Sequence, residues 1–258
     1  EEKNKVEKSV LYLVATPIGN LADITERALK VLSEVDFVAA EDTRNSGLLL
    51  SRLGLHKPMV SYHDHNRAER GPEIIGRLKN GESCALISDA GMPAISDPGE
   101  DLVALCAKEG ITVSIIPGAC AAVSALALSG LSTRRFAFEG FLPVAGKDRK
   151  KRLTEIAKEE RTLIIYEAPH RLKKTLAEFI EYFGADRCIA LCRELTKLNE
   201  EIIRLTLAGA CEYYESTEPR GEYVLVIEGA PEATEEEEST NIAERAAALM
   251  AGGMSQKD

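Results

Sequence analysis

Five short runs hold most of the residues able to do chemistry. EDTRNS (41–46) offers the carboxylates Glu41 and Asp42 and the guanidinium of Arg44, and HDHNR (63–67) offers His63, Asp64 and His65. Carboxylates and imidazoles accept protons from weakly acidic hydroxyls, and an arginine holds a phosphate or orients a carboxylate. TPIGN (16–20), SDAGMP (88–93) and PGACAA (117–122) contribute Gly, Pro, Asp and small residues. Turns of that composition expose backbone polar groups and let a ligand approach closely. The same residues also have plainer uses. Glu41 and Asp42 suit a helix cap, HDH suits a solvated strand exit, and the alanines of PGACAA suit helix–sheet packing. No GxGxxG stands in the first turn and no GxxxxGK[ST] stands anywhere. Their absence removes most of the case for NTPase chemistry.

Each of the five runs follows an apparent strand. VLYLVA (10–15), DFVAAE (36–41), PMVSYHDH (58–65), CALI (84–87) and ITVSII (111–116) are apolar runs. Between them lie helical patterns at 24–35, 47–54, 66–80 and 99–109, and an Ala-rich helix follows at 119–130. In 24–35, Ile24, Ala28, Val31, Leu32 and Val35 share one helical face. Gly54 reads as a helix stop. Asp97 and Pro98 read as the N-cap and first residue of the 99–109 helix. Such βα alternation predicts an α/β fold with a parallel sheet. The strands of such a sheet present their carboxyl ends to one side, so all five runs rim one crevice. We place a domain break at 131/132. Residues 1–131 form an N-terminal α/β domain and 132–230 a second, mixed-sheet α/β domain. The second carries strands at 136–141, 162–167, 187–194, 200–207 and 222–229, with helices at 148–159 and 170–183. The last three strands are expected to be neighbours, partly antiparallel.

The 258 residues suit one large domain or two smaller ones, and 45% apolar residues suffice for a core. No run is long and apolar enough for a membrane span, and the charged start EEKNKVEKS carries no signal core. The expectation is a cytoplasmic protein. The six cysteines show no zinc-type pairing, so they are expected to be reduced and no metal is expected. The net charge of −10 argues against a nucleic-acid partner, but the charge is uneven. Residues 231–258 carry seven acids against Arg245 and Lys257, and read as an acidic linker and a short helix at 242–253. KDRKKR (147–152) is a dense basic cluster. The start without methionine and the break after GMSQKD lead us to expect a trimmed chain.

TPIGNLADIT, AEDTR, HDHN, SDAGMPAISDPG, PGACAAVSALALSGL, FEGFLP, YEAPHR, RELTK and RGEYVLVIEG occur in one order over residues 10–230. Together they resemble the ribosomal RNA branch of the tetrapyrrole (corrin/porphyrin) methylase superfamily, whose members methylate a cytidine ribose 2′-oxygen in 16S rRNA. Two turns depart from the wider superfamily. TPIGNLAD carries one glycine and ends in Asp23, and Ser88-Asp89-Ala90 replaces Gly-Asp-Pro. The resemblance implies two α/β domains with S-adenosylmethionine in the cleft between them. It also implies a homodimer, a C-terminal helical module cut short here, and 16S rRNA of the small ribosomal subunit as partner. Cofactor contacts carry over to Pro17, to Asp89, Ala90, Gly91 and Met92, and to Gly118, Ala119, Cys120, Ala121 and Ala122. They carry over further to Tyr166, Glu167 and Ala168, and to Gly221 and Glu222. Glu41, Asp42, Arg44, His63 and His65 are the substrate-side candidates. Arg134, Arg135, Lys147, Arg149, Lys150, Lys151, Arg152 and Arg171 are the candidates for RNA phosphates. A methylase of tetrapyrrole precursors and a non-catalytic RNA-binding module are the competing readings.

Overall fold

The computed structural model describes residues 5–231. The acidic linker from Glu232 onward and the helix read at 242–253 lie outside them. Five strands build the first sheet: β1 (Val10–Val14), β2 (Phe37–Ala40), β3 (Met59–Ser61), β4 (Cys84–Ile87) and β5 (Thr112–Ile116). Their order is β3-β2-β4-β1-β5, and every pairing is parallel. Helices α1 (Glu26–Glu34) and α2 (Thr43–Arg52) cover one face, where Ala28, Val31, Leu32 and Leu50 pack on Val38 and Ala85. Helices α3 (Arg67–Lys79) and α4 (Glu100–Lys108) cover the other with Ile74, Leu78 and Leu102.

The chain leaves β1 toward β2 and leaves β4 toward β5, in opposite directions across the sheet. The carboxyl ends of β1 and β4 therefore flank a topological switch point, where open α/β sheets bind ligands. A two-way backbone bridge ties the loops there. Thr16 N–H donates to Gly91 O at 2.9 Å and Gly91 N–H to Thr16 O at 3.1 Å.

A second sheet has the order β6-β7-β10-β8-β9. Its strands are β6 (Phe136–Phe141), β7 (Thr162–Glu167), β8 (Cys188–Arg193), β9 (Glu201–Thr206) and β10 (Tyr223–Ile227). Only β6 and β7 run parallel; the other pairings are antiparallel, as expected for the last three strands. Helices α6 (Gly146–Ile156), α7 (Pro169–Phe183) and α8 (Leu207–Ser216) pack one face around Leu153, Leu176 and Phe179. The opposite face is covered by α5 (Ala121–Ser129), whose Ala122, Ala125 and Leu126 meet Ile164, Ala190 and Val224. Thus α5 follows a strand of the first sheet and packs on the second.

Three local readings are corrected. Helix α4 starts at Glu100, with Gly99 rather than Asp97 as its N-cap. Gly99 sits at φ 139°, and a Cβ there would lie 2.7 Å from Leu86 Cδ2. Close packing on β4 thus delays the helix and frees Asp97. Helix α2 begins at Thr43, because the Asp42 carboxylate accepts from Arg44 N–H as its cap. Helix α8 is an element the sequence pattern does not announce, since Thr206 ends β9 and caps the helix with no intervening loop. All six cysteines are free thiols. Among the described residues no helix is long and apolar enough to cross a membrane, and no cluster of three His, Cys, Asp or Glu side chains is disposed to hold a metal.

Candidate active site

A cavity of about 410 Å³ opens between the two sheets, within the ~300–1,000 Å³ usual for small-molecule sites. The first unit contributes Ile18 after β1, Glu41 after β2 and Asp89–Met92 after β4. The second contributes Tyr166, Glu167 and Ala168 at the end of β7, and Glu222 before β10. Cys120 and Ala121 at the start of α5 also line it. Gly118 and Ala119 line an adjoining hollow with Asp23. The backbone can crowd here because Gly118 lacks a Cβ, which would stand 2.9 Å from that of Ala15. Gly91 holds φ 85° at the bridge to Thr16, a conformation that favours glycine.

Three expected contacts lie elsewhere. Pro17 is half-buried one residue outside the lining, which Ile18 supplies instead. Ala122 is buried under α5 against the second sheet, because the helix turns that face inward. Gly221 is a turn residue with φ 79°, where a Cβ would meet Glu194 Cγ at 2.5 Å.

Of the substrate-side candidates, only Glu41 reaches the cavity. Asp42 is bound to its helix. Its Oδ2 accepts from Arg44 Nη2 at 2.7 Å, and these bonds hold its carboxyl down to about 2. Arg44 is exposed and committed to Asp42. His63 and His65 follow the edge strand β3, one strand beyond β2, and do not line the cavity. Glu41 behaves differently from Asp42. Burial pushes its carboxyl up, and the nearby charges of Asp97 and Asp89 push it further; a backbone bond from Asp89 opposes them. Asp97, which the sequence reading assigned to a cap, lines the same cavity. Burial raises its carboxyl too, against a bond from the Ser88 hydroxyl. Asp89 is oriented by Asn45, whose Nδ2 donates to Oδ2 at 2.7 Å. Burial, with the Cys120 thiol beside it, lifts the Tyr166 phenol to about 12, which keeps it a donor at neutral pH.

Sequence reasoning also missed Ile95, Phe141 and Lys197 as lining residues. Lys197 Nζ donates to Glu194 Oε1 and Glu222 Oε2, both at 2.8 Å. Its RELTK loop therefore closes one side of the cleft.

The basic candidates divide sharply. Lys147, Lys150 and Lys151 are exposed on α6. Arg149 is not: it is 3% exposed. Its Nε and Nη2 bond Glu178 Oε2 at 2.8 and 2.6 Å, Nη1 bonds Pro143 O, and Nη2 bonds Thr175 Oγ1. Thr175 in turn donates to the buried Glu167 at 2.6 Å, and Arg171 pairs with that same carboxylate at 2.7 Å. Arg149 and Arg171 thus brace the cavity wall and are not free for phosphate. Arg152 bonds Glu139 and Glu155. Arg134 and Arg135 precede β6, at the end of the second sheet away from the cleft, where they line a separate cavity of about 820 Å³. The cations left exposed on α6 are therefore the three lysines, Lys151 lying 4.0 Å from Glu155.

Known proteins share both sequence and fold with this chain. The model of the tetrapyrrole (corrin/porphyrin) methylases matches residues 10–211. The ribosomal RNA small subunit methyltransferase I of Synechocystis is 49% identical over 246 residues, covering 95% of this chain and 88% of that protein. The protein of that name from Haemophilus influenzae is 49% identical, covering 94% and 86%. Its counterpart from Thermotoga maritima is 47% identical, covering 85% and 98%. Uroporphyrin-III-C-methyltransferase from Thermus thermophilus superposes with a TM-score of 0.58 at 21% identity, covering 85% of this chain and 94% of that one. Cobalt precorrin-4 methyltransferase gives 0.60 at 20%, covering 84% and 94%. These two likenesses show the fold, and the closer relatives narrow the group: the chain belongs to the tetrapyrrole (corrin/porphyrin) methylases and, among them, to the ribosomal RNA small subunit methyltransferase I family.

Proposed function

We propose that this chain transfers a methyl group from S-adenosylmethionine to the ribose 2′-oxygen of a cytidine in the 16S rRNA of the small ribosomal subunit. The observation that carries the reading is the 49% identity to a ribosomal RNA small subunit methyltransferase I over 95% of the chain. The cleft suits the cofactor. Glu41, Asp89 and Asp97 line it with carboxylates, while the Lys197 ammonium is already paired with Glu194 and Glu222, a balance that favours a ligand of net positive charge. Gly91 and Ala90 leave room along one wall, and the Tyr166 hydroxyl offers a donor from the other.

When bound, S-adenosylmethionine supplies an electrophilic methyl group on a sulfonium. The protein must hold the 2′-hydroxyl in line and take its proton. Holding alone contributes several kcal/mol. Glu41 is the proton acceptor in this reading, because its raised carboxyl is the better base and, among the described residues, no cation stands among the main influences on it. Asp42 has lost that capacity to Arg44.

Lys147, Lys150 and Lys151 meet RNA phosphates. Replacing all three by Ala weakens RNA binding. It also lowers the slope of log affinity against log salt by about 0.7–0.9 per lost contact. Cofactor affinity and melting temperature stay put, since all three side chains are exposed. An unchanged salt slope removes them from the interface.

The reading includes a cytoplasmic homodimer. Strand β5 ends the first sheet with Ile115 48% exposed, an unprotected edge of the kind that a second chain covers.

The test combines purified protein, labelled S-adenosylmethionine, and either small ribosomal subunits or corrin and porphyrin precursors. Label enters RNA at an alkali-resistant linkage, the mark of a blocked 2′-hydroxyl. Label in a precursor and none in RNA overturns the reading, as does an absence of cofactor binding by calorimetry.

A further inference from the structure

We infer that Phe141 is the platform on which the base of the target nucleotide stacks once it leaves the RNA strand. This rests on the RNA methyltransferase reading and adds to it a residue that selects and positions the substrate. Phe141 lines the cavity and is yet 57% exposed. Its ring is braced on one side: Tyr166 packs T-shaped against it at 5.5 Å, and Phe138 packs against Tyr166 at 5.1 Å. A braced aromatic ring with an open surface at a cleft mouth lacks a partner of its own shape.

The backbone holds it there. A β-bulge falls between Phe138 and Gly140, and Gly140 adopts φ 60°. A Cβ on Gly140 would come 2.6 Å from Ser96 Oγ, so the bulge seats directly on the loop of the first unit. That loop carries Ile95, 45% exposed, between Ala94 at φ 65° and Ser96 at φ 59°. Non-glycine residues in that region carry a conformational cost. The fold thus places one half-exposed apolar group from each sheet at the same mouth.

The charge around Phe141 points to the occupant. The chain runs from Phe141 through Val144, 70% exposed, into α6 and its exposed Lys147, Lys150 and Lys151. An aromatic surface followed by cations is the pairing that single-stranded nucleic acid uses, base on ring and phosphate on ammonium. Inside a folded RNA the 2′-hydroxyl cannot enter a cleft between two sheets. The nucleotide must be splayed out, and unstacked bases are recognised on aromatic side chains. We therefore assign the ring to the target cytosine and the lysines to the phosphates flanking it.

The experiment compares wild type, Phe141→Ala and Phe141→Trp. Two small-subunit RNA substrates are used, identical except that the target carries cytosine or is abasic. On the cytosine substrate, Phe141→Ala lowers kcat/KM by about 10- to 100-fold, and Phe141→Trp stays near wild type. Calorimetry gives the same cofactor affinity for all three. On the abasic substrate, wild type and Phe141→Ala become equal, because the partner of the ring is gone. Loss of cofactor affinity in Phe141→Ala assigns the ring to the cofactor and overturns the inference. A deficit that persists on the abasic substrate, or full activity of Phe141→Ala on the cytosine substrate, also overturns it. Wild type that labels no RNA overturns the parent reading, and is told apart because the failure does not depend on residue 141.

Discussion

Glu41→Gln lowers methyl transfer by about 10²- to 10⁴-fold, the usual worth of a general base, and leaves cofactor affinity near wild type. Glutamine keeps the shape of the side chain and loses the proton acceptor. In the wild type, transfer rises with pH as Glu41 loses its proton. That limb lies above the ordinary glutamate range, because burial and the charges of Asp97 and Asp89 lift the carboxyl. Asp97→Asn removes one of those charges, so the limb moves to lower pH; Glu41→Gln abolishes it. Stability moves the other way. A carboxyl raised in the folded state favours folding below the ordinary carboxylate range, and that contribution is lost as pH climbs through the raised value. At neutral pH the ionised Glu41 is therefore a burden, and Glu41→Gln melts above wild type, a trade-off common at active sites. Single-turnover transfer, its pH profile and a melting curve check all three. Undiminished transfer in Glu41→Gln takes this residue out of the reaction.

Arg149→Ala destabilises the fold by about 2–3 kcal/mol, toward the lower end for a broken buried pair because its partner Glu178 is partly exposed. At roughly 2–4 °C per kcal/mol for a chain of this size, the melting temperature falls by about 5–10 °C. The loss spreads to the cleft. Arg149 holds Thr175, Thr175 holds Glu167, and Glu167 forms part of the cavity wall. Cofactor affinity therefore drops as well. Arg149→Lys does not restore it, since one ammonium cannot reproduce the guanidinium bonds to Glu178, Pro143 and Thr175. A phosphate-binding role would give the opposite pattern: normal melting, normal cofactor affinity and weaker RNA binding. Calorimetric melting alongside cofactor titration separates the two.

Arg149 also shows what could be read from the chain and what could not. Within KDRKKR all cations look alike by composition. Helical phase distinguishes them, for Arg149 shares a face with Leu153 and Ile156 at spacings of four and seven, and all three are buried. That signal was present. Strands β6 and β7 were legible to the residue, because FAFEGF and TLIIYE are short runs bounded by an arginine before and a residue-proline pair after. Asp97 was not. DPG before a helical run has the form of a cap, and only the contact of Gly99 with Leu86, thirteen residues away, moves the helix start past it. The choice between Glu41 and Asp42 was equally hidden. Adjacent carboxylates differ only in which one turns back to its own helix, and the other is then left in the cavity with its carboxyl raised by burial.

The path of α5 has a mechanical consequence. The helix leaves a strand of the first sheet, yet its body is packed into the second. The short link between them, residues 117–120, ends in Cys120 at the cavity wall. Any swing of one sheet against the other must flex that link. A change in the angle between the sheets therefore also moves the cavity wall at Cys120.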